Sequence, residues 1–127
     1  MTAPVSYIAI RDAALRARVA GELARLGWRV VERPSGFHLV EELADVILER
    51  APKPQVGLVV VDEPSPGCRG SSLALGLREL GIDLPITVVA RRELAPAEIR
   101  DRGIVVVEPE QAPEVIPALA RQHAHAA

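Results

Sequence analysis

The chain has 127 residues, enough for one ordinary domain and too few for two of typical size, with 49% hydrophobic and 25% charged residues. That mixture excludes a disordered chain or a polyelectrolyte, and 15 Lys+Arg against 17 Asp+Glu leave no broad basic surface for nucleic acid. With Tyr7, Trp28 and Phe37 as the only aromatic residues, the core has to be built from Val, Leu, Ile and Ala.

Cys68 stands alone, so no internal disulfide or cysteine-rich zinc site is available, and an intracellular, cytoplasmic location is the expectation. His38, His123 and His125 have no metalloprotease spacing. No stretch approaches the roughly 18 apolar residues of a membrane span, and no hydrophobic signal core follows a basic N-terminus. A single domain over 1–127 is expected, with residues 120–127 as a tail that frays.

In chain order, short apolar runs alternate with segments of helical spacing, the habit of an α/β domain. The predicted strands are Ser6–Ile10, Arg29–Glu32, Val56–Val61, Pro85–Val89 and Ile104–Val107. The third and fifth are nearly continuous Val/Ile/Leu, which suits parallel strands buried on both faces. Between the first two strands, Leu15, Val19, Leu23 and Leu26 define a helix face that Gly27 terminates. A second helix follows Ser35, a candidate cap, with Leu39, Val40, Leu43, Val46 and Ile47 inward. The third starts near Ser71 or Ser72 and turns Leu73, Leu77 and Leu80 to one side before Gly81. A short fourth helix fits between Ala95 and Gly103, entered at Pro96. The fifth carries Val115, Ile116 and Leu119, and Pro113 and Pro117 force either a kink or a later start.

One stretch is more specific than these periodicities: Asp62-Glu63-Pro64-Ser65-Pro66-Gly67-Cys68-Arg69-Gly70, an Asp at the end of a hydrophobic third strand followed by Pro-Gly and a further Gly. With the order and spacing of the elements from Val5 to Leu119, it resembles the receiver domain of bacterial two-component response regulators. The resemblance implies a flavodoxin-like (βα)5 fold, a doubly wound parallel sheet in the order 2-1-3-4-5, and a site at the carboxyl ends of the strands, where open parallel sheets hold their ligands. It also implies roles. Asp62 becomes the phosphoacceptor, and Asp12, Asp62 and the backbone carbonyl of Pro64 become ligands for Mg2+. Asp12 has a second reading as the cap of the first helix.

Several positions depart from the family's pattern, so the resemblance is to an atypical or pseudo-receiver form. Arg11 replaces the first residue of the acidic pair, Ala90 replaces the hydroxyl residue after the fourth strand, and Glu108 replaces the lysine before Pro109. Val105 stands where an aromatic switch residue is common. Ala90 has no hydroxyl to bond a phosphoryl group, and Glu108 would repel one. The only lysine, Lys53, precedes the third strand at the end opposite Asp62. Arg11 has two readings, a solvated charge or a pocket partner for Asp62 or Glu108.

The resulting expectation is a signalling module that works by protein contact without standard phosphorylation switching. It has no catalytic residue, is not an enzyme, and needs no cofactor. Its implied partners are a histidine kinase or another signalling protein, and the altered face of fourth helix, fifth strand and fifth helix offers a homodimer contact; no membrane or direct nucleic-acid contact is expected. Two alternatives stay open: a Mg2+-dependent phosphoacceptor using Asp62, and a receiver-like accessory domain of a larger enzyme.

Overall fold

The computed structural model describes residues 3–50, 57–64 and 69–126. Lys53, Val56, Cys68 and the Ser65-Pro66-Gly67 step therefore lie outside the described residues. Five strands form one parallel sheet: β1 (Val5–Ala9), β2 (Arg29–Arg33), β3 (Gly57–Asp62), β4 (Ile86–Val89) and β5 (Ile104–Val107). Their order is β2-β1-β3-β4-β5, as a flavodoxin-like (βα)5 fold requires. Strand ends differ from the sequence reading by about one residue, the usual uncertainty of such boundaries: β1 starts at Val5 and stops at Ala9, β2 continues to Arg33, β3 includes Asp62, and β4 starts at Ile86 rather than Pro85.

Helices α1 (Ala13–Arg25) and α5 (Ala112–Ala126) cover one face, and α2 (Gly36–Ile47), α3 (Gly70–Glu79) and the single turn α4 (Glu98–Asp101) cover the other. A 3-10 turn, Arg92–Leu94, precedes α4. On the first face Ile8, Val60 and Val107 meet Val19, Leu23 and Ile116; on the second Val59, Val61 and Val88 meet Leu39, Leu43, Leu77 and Ile99. Every residue of β1 and β3 is buried. Their mainly apolar sequences, interrupted by Ser6 and ended by Asp62, follow from lying between two layers of helix.

Helix ends correct several expectations. Gly27 and Gly81 take φ of +85° and +83°, so α1 and α3 stop where glycine alone accepts a left-handed residue without strain. Ser35 occupies the N-cap of α2, but its hydroxyl bonds His38 Nδ1 at 2.8 Å rather than a helix N–H. α3 starts at Gly70, one residue before Ser71, with Arg69 at its cap position, and Ser71 bonds Glu63. Val40 and Leu80 do not face the core; they are 37% and 60% exposed, Leu80 because it lies just past the end of α3. α5 starts at Ala112, before Pro113, whose missing N–H costs nothing in a first turn. Pro117 sits inside the helix, so the Pro113 carbonyl has no i+4 amide donor. The helix continues through 120–126, residues read from sequence as a tail.

Candidate functional site

The parallel register sets Ala9 beside Val61, Asp62 beside Val89, and Val89 beside Val107. One step further along the chain, Arg11, Asp62, Ala90 and Glu108 gather at the carboxyl edge of the sheet. Asp62 ends β3 and is only 6% exposed, with its Oδ2 accepting the Arg11 backbone N–H at 2.7 Å. Burial pushes its carboxyl above the ordinary aspartate value, against the opposing pull of the Arg11 N–H, its own backbone N–H, and the charges of Arg11 and Arg16.

The folded protein therefore holds this proton more tightly than the unfolded chain does. Stability from this group is greatest below the unfolded pKa and declines as pH rises from there through the raised folded value. Asp62→Asn removes that penalty. The variant should be more stable than wild type at neutral pH, by roughly 0.5–2 kcal/mol, the gain typical of a single stabilising substitution. Paired denaturant titrations should show the gain shrinking at acid pH.

Arg11 contributes through its backbone. Its side chain is exposed, and among the described residues no ion pair joins it to Asp62 or Glu108, which fits the solvated-charge reading. The helical cation of this region is Arg16, which nothing in its sequence position marked. Its guanidinium donates to the Ile10 carbonyl at 2.8 Å and lies 3.7 Å from Glu32. That carbonyl and the Arg11 N–H belong to one peptide group. Arg16 thus polarises the same amide that donates to Asp62, a short cooperative chain ending on the buried carboxylate.

Asp12 is the N-cap of α1: its Oδ1 accepts from the Ala14 and Leu15 amides at 2.9 and 3.1 Å. The capping reading is therefore the one its contacts support. For Mg2+, this leaves Asp62, with one oxygen committed to Arg11, the remaining oxygen of Asp12, and the Pro64 carbonyl. Among the described residues no group of three or more His, Cys, Asp or Glu could hold a metal ion. Mg2+ binds through one or two carboxylates and keeps several waters, so Asp62, Asp12 and the Pro64 carbonyl are the groups that would hold it.

Glu63 is the residue that sequence reading missed. It is 6% exposed, yet its carboxylate is fully engaged: Ser71 Oγ donates at 2.8 Å, the Ser71 amide at 3.2 Å, and Arg69 Nε at 3.2 Å. The Gly70 amide closes the turn on the Glu63 carbonyl at 3.2 Å, and the Glu63 amide donates to Val89 at 2.9 Å. A carboxylate so saturated with donors acts as the loop's anchor rather than as a base. No short motif could have announced it, because the Glu and the Ser stand eight residues apart in the chain.

Across the site, Ala90 is buried in the core and its amide bonds the Val107 carbonyl at 2.9 Å. Glu108 is half-buried, and its carbonyl accepts from Gln111 at 3.0 Å. Just outside them, Arg91 and Glu110 form an exposed ion pair at 2.6 Å that joins the loops after β4 and β5. The Glu110 backbone N–H, together with Arg91, holds that carboxyl below its ordinary range. Val105 lies on β5, 41% exposed, away from this edge.

Comparison with solved structures places the fold among receiver domains. The Thermotoga maritima response regulator TrrA, in complex with Mg2+-BeF, matches with a TM-score of 0.72 and 14% identity over 95% of this chain and 98% of its own. The BeF3-activated N-terminal receiver domain of Klebsiella pneumoniae RstA matches at 0.69 and 23% identity, over 94% and 97%. The Escherichia coli RcsC C-terminus, containing a phosphoreceiver domain, matches at 0.71 and 20% identity, over 97% and 88%. No family model matches the sequence, and no curated protein does. Among the described residues no helix is long and apolar enough to cross a membrane.

Proposed function

We propose that this chain is a pseudo-receiver: a cytoplasmic signalling module on the receiver fold that regulates by protein contact, without standard aspartyl phosphorylation switching. The observation that carries this reading is the composition of the site around Asp62. Its neighbours at the sheet edge are a buried Ala90, which has no hydroxyl, and Glu108, an anion, while the Arg91–Glu110 pair ties the two adjoining loops together. A phosphoryl group on Asp62 would meet neither a hydroxyl donor nor a lysine there, and would add charge beside Glu108.

In this reading Asp62 is an ancestral phosphoacceptor, and Arg11, Ala90, Val105 and Glu108 are the altered switch positions. Asp62, Asp12 and the Pro64 carbonyl are the groups that would hold Mg2+ when it binds, and no catalytic role is assigned. The partner is another signalling protein or a histidine kinase. Restoring the family pattern should restore chemistry: the pair of substitutions Arg11→Asp and Glu108→Lys should raise Mg2+-dependent labelling by a small phosphodonor by about tenfold or more, the scale of one well-placed charge. Unchanged labelling would mean that these two positions are not what limits the site.

A further inference from the structure

β5 is an edge strand, paired on one side only. The Val107 carbonyl is turned to the Ala90 amide in the β4 direction. Backbone polar groups alternate along a strand, so the N–H and C=O of Ile104 and Val106 point away from the sheet. Among the described residues no loop or helix group hydrogen bonds to either. Proteins usually blunt such an edge with a charge, a proline or a bulge. Ile104–Val107 has none of these, and α4, which packs beside it, is a single turn.

Two shallow clefts flank this edge. One, of about 320 Å³, is lined by Arg92, Arg100, Ile104 and Val106, together with Val105. Arg92 and Arg100 are exposed, and among the described residues neither has an ion-pair partner. The nearby acids Glu93, Glu98 and Asp101 do not line it. The other cleft, of about 240 Å³, presents Pro85, Thr87, Val105 and Leu119, with Arg78 spent on the carbonyls of Ile82, Leu84, Arg102 and Gly103.

We propose that the outer edge of β5 takes an extended acidic segment of a partner protein as a sixth strand, hydrogen-bonded to Ile104 and Val106. Alternate side chains of an added strand fall on opposite faces. Acidic residues of the segment lie in the cleft of Arg92 and Arg100, and apolar residues between them meet Val105 and Leu119. A second copy is the poorer occupant, because two-fold pairing of β5 with itself brings the unpaired arginines of both copies together. The proposal rests on the reading that this module works by contact, and gives that contact its chemistry.

The test is fluorescence anisotropy with the full chain and a labelled peptide of about ten residues alternating Glu and Val, long enough for one strand. The expected result is saturable binding, weakened about tenfold or more by Lys in place of Glu, by N-methylation of alternate peptide amides, and by Arg92→Glu with Arg100→Glu. Val106→Pro, which removes an outward N–H at an edge where proline is tolerated, should do the same. If that variant misfolds, the N-methylated peptide still decides. Absence of binding, equal binding of the N-methylated or Lys peptide, or self-association of the chain abolished by Val106→Pro would overturn the proposal. Binding that appears only after phosphodonor treatment and is lost in Asp62→Asn would leave strand addition standing and remove the phosphorylation-independent reading instead.

Discussion

Gly70→Ala should destabilise the protein by about 3 kcal/mol or more, among the largest effects of any single methyl added to this chain. A Cβ at Gly70 would stand 2.2 Å from the Asp62 carbonyl oxygen, 2.7 Å from its carbon and 3.1 Å from the Glu63 nitrogen. All three are backbone atoms of the last strand residue and the one after it. They cannot swing aside as the end of a side chain can. The clash has to be relieved by parting α3 from the end of β3, which breaks the Gly70–Glu63 turn and moves Asp62 itself. Urea denaturation of the variant beside wild type measures this, and a loss under about 0.5 kcal/mol would show that the loop gives way cheaply. The sequence marked Gly70 as part of a loop motif; the reason for the glycine is this approach of two backbones.

Ser71→Ala should cost about 1–3 kcal/mol, far more than an exposed serine would, because it strips the closest donor from a buried carboxylate. Glu63→Gln should cost a comparable amount, since the amide keeps one oxygen for the Ser71 hydroxyl but sets its NH2 against the Ser71 backbone N–H, or the reverse, and loses the charge facing Arg69. A double-mutant cycle between positions 63 and 71 should therefore show coupling of about 1 kcal/mol or more. Additive losses would mean that Ser71 and Glu63 stabilise the loop separately, and that Glu63 is not its anchor.

The sheet was legible in the sequence to within about a residue at each strand end, and β5 matched at both ends. Continuous apolar runs such as Leu58–Val61 mark strands covered on both faces, and glycines at positive φ mark helix ends. Less legible was how much of each apolar face is used. α2 carries more apolar residues than its contact with the sheet can bury, so periodicity alone turned Val40 inward when it is partly exposed. Leu80 followed the same spacing but fell beyond the last turn of α3.

At the site, the resemblance led to Asp62 and Asp12 because their positions follow strand ends, which a sequence displays. It gave no sign of Glu63 or Arg16, whose partners are a serine eight residues away and a backbone carbonyl. Such contacts are made by chain geometry between elements, and no spacing rule encodes them. Of the two readings of the Arg11 side chain, its exposure matches the solvated charge, and its contact to Asp62 is made by the amide that every non-proline residue has at that position. Arg11→Ala should accordingly leave the Asp62 hydrogen bond in place.

The central claim concerns what Asp62 does when a phosphoryl donor and Mg2+ are both supplied. Its carboxylate is buried, one oxygen holds the Arg11 amide, and no hydroxyl or lysine stands at the positions of Ala90 and Glu108. The most direct measurement is the intact mass of the purified chain after incubation with Mg2+ and a small phosphodonor, with Asp62→Asn treated in parallel. The result expected here is no mass gain in wild type beyond that of Asp62→Asn. A phosphoryl adduct present in wild type and absent from Asp62→Asn would contradict the account and make this chain a working phosphoacceptor.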